Sequence, residues 1–331
     1  MKKYWSKRKK WEKILLASFL VVLLLVVGSG SFIYYKLQHT AEAIYEPLPP
    51  SEFRVKVGNF NPTPAHDDTK ETSATASHVG PRVPSLKDGD PFTMLIMGVD
   101  ERDHDRGRSD TLILAVVNPK TPAVTLISIP RDTMTSIIGK NKEDKINHAY
   151  AFGGVPMAVA TVEQMLQIPI DHYIKTNMQG FEEIIDVLGG VDIQNKLAFS
   201  LDGQYFEKGP LHLSGEKALA YVRMRKADPK GDFGRMDRQQ EVLSSLSNKA
   251  LSFEGAFQWV GMIDKVSEHV KTSIPSSEWT KLMKNYNQAL SHLERESLNG
   301  SGIRQNGIYY YVLDSGERER MHDIIIKKLG L

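Results

Sequence analysis

From Ile14 to Tyr35 the chain runs 22 positions without a charged side chain, ILLASFLVVLLLVVGSGSFIYY. As a helix that run is about 33 Å long at roughly 1.5 Å per residue, enough to cross a hydrocarbon core of about 30 Å. It offers no charged position to turn toward water, which argues against a helix in a soluble core. Seven basic residues (Lys2, Lys3, Lys7, Arg8, Lys9, Lys10, Lys13) and one acid, Glu12, precede it. Tyr34 and Tyr35 stand at its other end, where amphipathic rings favour the headgroup layer. Basic residues crowded on one flank predict a cytoplasmic N-terminus, with everything after Lys36 outside the cell. The competing reading is a cleaved signal peptide, with Ala41-Glu42-Ala43 as its small-residue cleavage site. The apolar run exceeds the usual length of such peptides, which favours an uncleaved anchor.

The expected organisation is a basic cytoplasmic tail over 1–13, a transmembrane anchor over 14–35, a stalk and linker over 36–91, and an extracellular domain over 92–331. Prolines at 47, 49, 50, 62, 64, 81, 84 and 91 and the polar run AHDDTKETSATAS mark the linker. Such a segment buries too little apolar surface to offset the entropy of ordering it; some local structure is expected over 42–57. The formal net charge of +2 conceals +6 in the first 13 residues, leaving the rest at −4. A globally basic body of the kind that binds nucleic acid is therefore excluded. The chain has no cysteine, so disulfides and thiolate chemistry are excluded too.

Beyond Pro91 the pattern changes. Thr93–Val99 (TMLIMGV), Thr111–Val117 (TLILAVV) and Val124–Ile129 (VTLISI) are short apolar runs, and Asn118-Pro119-Lys120-Thr121 joins the last two. Their length and flanking turns predict buried strands, the second and third as a hairpin. A helix is expected over Val155–Gln167. Phe181, Ile184, Ile185 and Leu188 follow the i, i+3, i+4, i+7 spacing of another, stopped by Gly189-Gly190. Short strands are expected at His172–Thr176, Val191–Ile193 and Ile308–Leu313. Further helices are expected from a Ser214 cap through Ala220, and over 235–251, 256–270, 277–292 and 316–329. Strands interleaved with helices around one sheet make a layered α/β sandwich.

Three constellations carry chemistry. Asp100 ends the first strand and Asp110 opens the second, so neighbouring strands would set both carboxylates at one sheet edge. Two carboxylates completed by waters and phosphate oxygens suit Mg²⁺; solvated loop acids, as Glu101, Asp103 and Asp105 are expected to be, are the other reading. Arg131-Asp132 directly follows the third strand, where ligand groups converge in α/β sheets; a surface ion pair is the alternative. The segment YVRMRKADPKGDFGRMDRQ packs Arg223, Arg225, Lys226, Lys230, Arg235 and Arg238 into a net-acidic body. Arg223 and Arg225 would face the same way on an extended segment, and Arg235, Arg238 and Gln239 share a helix face. Converging guanidinium forks suit a phosphate or diphosphate; a solvated basic loop, partly neutralised by Asp228, Asp232 and Asp237, is the alternative. Base stacking would need more aromatics than Tyr221 and Phe233 supply nearby. There is no HExxH, GxSxG or P-loop motif. His148 and His172 read as structural or surface residues rather than ligands.

The stretches DPFTMLIMGVDERD, GRSDTLILAVVNPKT, ISIPRDT, KINHAYAFGG, LSGEKALAYVRMRKADPKGDFGRMDRQQ and NGIYYY, in this order, resemble the LytR–CpsA–Psr family of cell-wall glycopolymer transferases. Within it the likeness is to the wall-teichoic-acid transferases of Gram-positive rods. The resemblance implies an α/β fold with a mixed central sheet sandwiched between helices, an apolar pocket for a polyprenyl tail, and Mg²⁺, with Mn²⁺ as a possible substitute. It implies that Asp100 and Asp110 hold the metal. Arg131, Arg223, Arg225, Arg235, Gln239 and Arg238 would bind the donor diphosphate, and Asp132 and Asp232 would support them. Asp100, Arg131, Arg223 and Arg225 would be catalytic, with Asp100 as general base, although a metal-bound carboxylate is a poor base. The implied donor is a polyprenyl-diphosphate-linked glycopolymer and the acceptor is peptidoglycan, on the outer face of the cell membrane. A non-catalytic binder of the same polymer is the second reading. A regulator is the third; it would need a DNA-reading or cytoplasmic element, for which the tail 1–13 is too short.

Overall fold

The computed structural model describes residues 42–48, 82–102, 104–121, 123–250 and 266–331. In chain order the first elements are β1 (Phe92–Val99), β2 (Ser109–Val117), β3 (Val124–Ser128), β4 (Met134–Ile137), β5 (Lys142–Lys145) and α1 (His148–Leu166). Then come β6 (His172–Asn177), α2 (Met178–Val187), β7 (Val191–Asn195), β8 (Phe199–Leu201), β9 (Gln204–Phe206) and β10 (Gly209–Leu213). The rest are α3 (Gly215–Arg223), α4 (Asp232–Ala250), β11 (Val270–Thr272), α5 (Ser276–Leu290), β12 (Leu293–Ser297), β13 (Gly300–Gln305), β14 (Ile308–Leu313) and α6 (Glu317–Leu329).

The main sheet has the order β11-β6-β1-β2-β3-β12. β6 runs parallel to β1 and β12 parallel to β3, while the β11–β6, β1–β2 and β2–β3 pairs are antiparallel. Side chains alternate across it, as the two-residue period of a strand requires. Leu95, Met97 and Val99 of β1 join Leu112, Leu114 and Val116 of β2 beneath α1 and α6. Phe92, Ile113, Ala115 and Val117 face the other way, onto Tyr286 and Ala289 of α5. Both faces are covered, so the strands read in sequence as nearly continuous apolar runs. The expected layered sandwich around a mixed sheet is therefore present. A lateral lobe packs α2, α3 and α4 on the β7–β10 and β8–β9 pairs. Its centre is Phe199 stacked on Phe206 at 4.7 Å, with Tyr221 5.8 Å from both.

Several expectations need correction. The first helix starts at His148, not Val155, because a kink divides it: Gly154 has φ 64°, and Pro156 follows inside the helix. Gly-Pro punctuation reads as a boundary, yet helical backbone lies on both sides of it. The helix expected from 235 starts at Asp232. Of the helix expected over 256–270, residues 256–265 lie outside the described residues, and Val270 opens β11 instead. β4, β5, β8–β10, β12 and β13 are short and too polar to show a strand period; β5 is KEDK and β12 is LERES. The linker is shorter than expected. Leu86 is buried in the α5-side core, Asn285 donates to its carbonyl at 2.9 Å, and the Tyr286 hydroxyl donates to Asp90 O at 2.7 Å. Ile44 is buried, and Tyr45 bridges to Thr272. The tail, the anchor at 14–35 and most of the stalk lie outside the described residues, among which no helix is long and apolar enough to cross a membrane.

Candidate active site

The antiparallel β1–β2 pair brings Asp100 and Asp110 to one end of the sheet. The connecting loop closes through the Asp100 N–H donating to Arg108 O at 2.9 Å. Gly107 (φ 65°) makes that closure possible, since a Cβ there would sit 1.8 Å from Asp100 O. Pro130-Arg131-Asp132 leaves β3 at the same end, in a turn fixed by the Thr133 hydroxyl donating to Pro130 O at 2.6 Å. Asn147 N donates to Arg131 O at 3.2 Å and draws the start of α1 alongside. The α3–α4 connection and β14 complete a cleft of about 980 Å³. Asp100, Asp110, Arg131, Asp132, Arg225 and Asp232 all line it, with Arg108, Lys145, Asn147, Lys226 and Tyr309.

Arg131 is the hub. Its guanidinium lies 3.0 Å from Asp110, 3.8 Å from Asp132 and 3.9 Å from Asp232. Burial opposes its charge, but the three carboxylates outweigh burial and raise its pKa. Arg235 on α4 is buried behind the cleft wall, 3.1 Å from Asp232 Oδ2 and donating to Asp110 O at 3.3 Å. Its pKa moves the other way: burial lowers it, Asp232 and Asp110 raise it, and Arg131 and Arg225 repel it. Lys145 pairs with Asp132 at 2.6 Å. Arg108, Arg225 and Lys226 line the cleft with no carboxylate partner among the described residues. The buried Nε of Arg131 and of Arg235, Asp232 Oδ1 and Asn147 Oδ1 have no hydrogen-bond partner among the described residues. A buried polar atom left so costs about 1–3 kcal/mol. Cations without carboxylate partners around one volume suit a multiply charged anion.

The cleft wall offers oxygen donors of the kind a hard cation takes. Asp100 and Asp110 are carboxylates in the wall, and the orphaned Asn147 Oδ1 belongs to an amide whose Nδ2 is 3.4 Å from Asp110 Oδ1. Oxygen donors of this kind fit Mg²⁺, which keeps waters and phosphate oxygens in its shell. No group of three or more His, Cys, Asp or Glu converges among the described residues. Asp100 is held by Arg102, with both contacts 3.1 Å.

Besides Arg235, which lies behind the wall, three residues depart from expectation. Arg223 ends helix α3 rather than lying on an extended segment with Arg225; it is exposed, 3.4 Å from Asp202, and outside the cleft wall. Gln239 lies one turn along α4 from Arg235, half-buried and also outside the wall. Arg238 turns inward. It donates to Tyr221 O at 3.1 Å, to Asp228 at 2.6 Å and to Met224 O, and stacks 5.6 Å from the Phe199 ring. It clamps the loop that carries Arg225 instead of meeting a ligand. Burial opposes the charge of Asp228, yet Arg238 and the Lys230 N–H hold that carboxyl below the usual range. The pair is 7% and 8% exposed, and breaking a buried pair from one side costs about 3–5 kcal/mol. Arg238→Ala should therefore lower the denaturant midpoint markedly; an unchanged midpoint would contradict the clamp. Lys145 and Asn147 went unassigned in sequence, although both sit in KINHAY, where the histidine drew notice. His148 only pairs with Asp144 at 2.9 Å.

The LytR_cpsA_psr family profile matches residues 55–327. The chain is 42% identical over 312 residues to the polyisoprenyl-teichoic acid–peptidoglycan teichoic acid transferase TagU of Bacillus subtilis, covering 93% of this chain and 94% of that protein. Its fold superposes on the crystal structure of B. subtilis TagU with a TM-score of 0.60 at 43% identity, covering 72% of this chain and 97% of that one. It also superposes on the LytR-CPS2A-psr protein YwtF (TagT) with bound octaprenyl pyrophosphate lipid, with a TM-score of 0.59 at 30% identity over 74% of this chain and 92% of that one. With more than half its length matched by the family profile and a relative this similar along nearly its whole length, the chain belongs to the LytR–CpsA–Psr family.

Proposed function

We infer that this protein is a phosphotransferase that moves a polyprenyl-diphosphate-linked teichoic acid onto peptidoglycan, releasing polyprenyl phosphate. The observation that carries the reading is the cleft itself, where Arg108, Arg225 and Lys226, without carboxylate partners among the described residues, surround a volume whose wall also holds Asp100 and Asp110. TagU is named for this reaction, and TagT holds a polyprenyl pyrophosphate.

A peptidoglycan hydroxyl, in this family the 6-hydroxyl of a muramic acid, attacks the sugar-bearing phosphorus. A new O–P bond forms, and the bond from that phosphorus to the bridging oxygen breaks. Polyprenyl phosphate leaves with the bridging oxygen, the hydroxyl proton passes to a base for which Asp100 is the candidate, and a phosphodiester remains. A diphosphate resists attack because its oxygens are negative. Arg131, Arg225 and Arg235 would offset that charge and stabilise what builds up on the leaving phosphate. Asp132 and Asp232 would hold the two buried arginines in place. Asp100 and Asp110, with Asn147, would hold Mg²⁺, which would supply further charge stabilisation on the phosphate oxygens. The lipid tail would lie along the α5-side face of the sheet. Met94 and Ile96 of β1, Ile174 of β6 and Leu243 of α4 are half-buried there, and Ile96 is the cross-strand neighbour of Ile174. Each CH₂ buried contributes about 0.8 kcal/mol. The run 14–35 would anchor the protein in the cell membrane, with the tail inside and the cleft outside.

The full chain in detergent, given lipid-diphosphate-linked glycan and nascent peptidoglycan, should release polyprenyl phosphate and label the peptidoglycan. Lipid binding with no turnover on any wall acceptor would put the non-catalytic binder ahead. For topology, protease added to intact protoplasts should digest the domain, and a fully protected domain would overturn the outward placement.

A further inference from the structure

The β13–β14 hairpin carries an arrangement that the phosphoryl chemistry does not use. In register, Gly300 faces Leu313, Gly302 faces Tyr311 and Arg304 faces Tyr309. Alternation puts Gly300, Gly302, Tyr309 and Tyr311 on one face. A Cβ at Gly300 would meet the Tyr311 ring at 2.9 Å, and one at Gly302 would meet Tyr309 Cε2 at 2.7 Å and its hydroxyl at 2.8 Å. Two glycines on one strand thus seat two tyrosines of the next, each leaning diagonally across the hairpin.

The two rings differ in what else holds them. Tyr311 is buried, its hydroxyl donates to Leu298 O at 2.9 Å, and Phe233 packs edge-on at 5.4 Å. Tyr309 is 39% exposed, lines the cleft beside Asp132 and Asp232, and has no hydrogen-bond partner for its hydroxyl among the described residues. A large aromatic ring seated on backbone, with an open surface and an unused hydroxyl, is the surface that a pyranose ring stacks on. Sugar C–H groups cover the ring, and the phenol meets a sugar oxygen. Burial, then Asp132 and Asp232, raise the phenol pKa, so the hydroxyl stays protonated as a donor at neutral pH.

We propose that Tyr309, seated on Gly302, is the binding platform for a pyranose ring next to the phosphate being transferred, and so selects sugar-bearing ligands over bare lipid diphosphate. The inference rests on the transferase reading for its location. Two pyranoses share this chemistry: the sugar on the donor phosphate and the acceptor sugar of peptidoglycan.

The experiment measures binding of three probes to the full chain in detergent: polyprenyl diphosphate without sugar, the same lipid bearing one N-acetylhexosamine, and a soluble peptidoglycan disaccharide. Tyr309→Ala should weaken a sugar-bearing probe by about tenfold, the upper end of what a stacked ring contributes, and leave the sugar-free lipid unchanged. Loss confined to the lipid-linked sugar identifies the donor; loss confined to the disaccharide identifies the acceptor. Tyr309→Trp should restore the affinity. Gly302→Ala should reproduce the loss with Tyr309 intact, because the new methyl displaces the ring. If all variants bind all three probes as the unmutated chain does, the platform does not exist. If Tyr309→Ala loses the sugar-free lipid equally while unfolding at the same temperature, the residue acts on the phosphate and the proposal is overturned. Failure of the transferase reading looks different: the unmutated chain would then release no polyprenyl phosphate from the sugar-bearing lipid in the presence of peptidoglycan, whatever Tyr309→Ala does to binding.

Discussion

Transfer by the Asp110→Ala variant is expected to fall by about 10²–10³-fold, and EDTA is expected to do the same to the unmutated chain. Asp110 has two jobs in the cleft. Its Oδ1 lies 3.0 Å from Arg131 and accepts from Asn147 at 3.4 Å. It is also one of the two wall carboxylates proposed to hold Mg²⁺. Asp110→Asn separates the jobs. The amide keeps an oxygen for Arg131 and Asn147 but loses the charge that a hard cation requires. If the metal role dominates, Asn should be nearly as poor as Ala, and raised Mg²⁺ should recover part of the rate. Lipid binding should survive, since the apolar face and Arg225 do not depend on the metal. The signature is a variant that co-purifies with polyprenyl diphosphate lipid yet releases no polyprenyl phosphate. A transfer rate unmoved by both EDTA and Asp110→Asn would reduce Asp110 to a partner of Arg131.

How far the sequence could be read depended on how each residue is held. β1, β2 and β3 were legible because strands buried on both faces must be apolar along their length, and TMLIMGV, TLILAVV and VTLISI are. The hairpin β4–β5 was not, because MTSI and KEDK are half-solvated strands whose pairing is set by the Arg131 turn rather than by any local pattern. Asp100, Asp110 and Arg131 could be placed together because each lies at a strand end and one sheet edge collects strand ends. Tyr309 could not, because it reaches the cleft from a hairpin nearly two hundred residues beyond Asp110. Arg238 shows the opposite failure. Helical spacing puts it near Arg235, and composition offered it as one more cation. What turns it inward is a set of backbone carbonyls at Tyr221 and Met224, which no side-chain pattern announces.

Arg225 and Arg131 should both be needed for transfer, and they should fail in different ways. Arg225 is exposed, lines the cleft and has no carboxylate partner among the described residues. Arg225→Ala therefore breaks no ion pair or side-chain hydrogen bond among the described residues and should leave the unfolding midpoint where it was. Its loss should lower kcat/KM by about 10²-fold, the scale of one preorganised charge on the developing anion. Arg225→Lys should recover little, because an ammonium cannot grip two oxygens in one plane. Arg131 is 15% exposed and balances Asp110, Asp132 and Asp232 at once. Arg131→Ala leaves three carboxylates facing one another, of which Lys145 and Arg235 can neutralise only part. That variant should lose stability as well as activity, by about 3 kcal/mol, the lower end of the cost of breaking a buried pair. The stability loss should shrink as ionic strength rises, because salt screens the repulsion among the stranded acids. Paired measurements of unfolding midpoint and transfer rate across salt concentration check both statements. A stable Arg131→Ala protein with normal transfer would mean that the diphosphate is gripped elsewhere, and an Arg225→Ala protein that unfolds early would mean that Arg225 belongs to the scaffold.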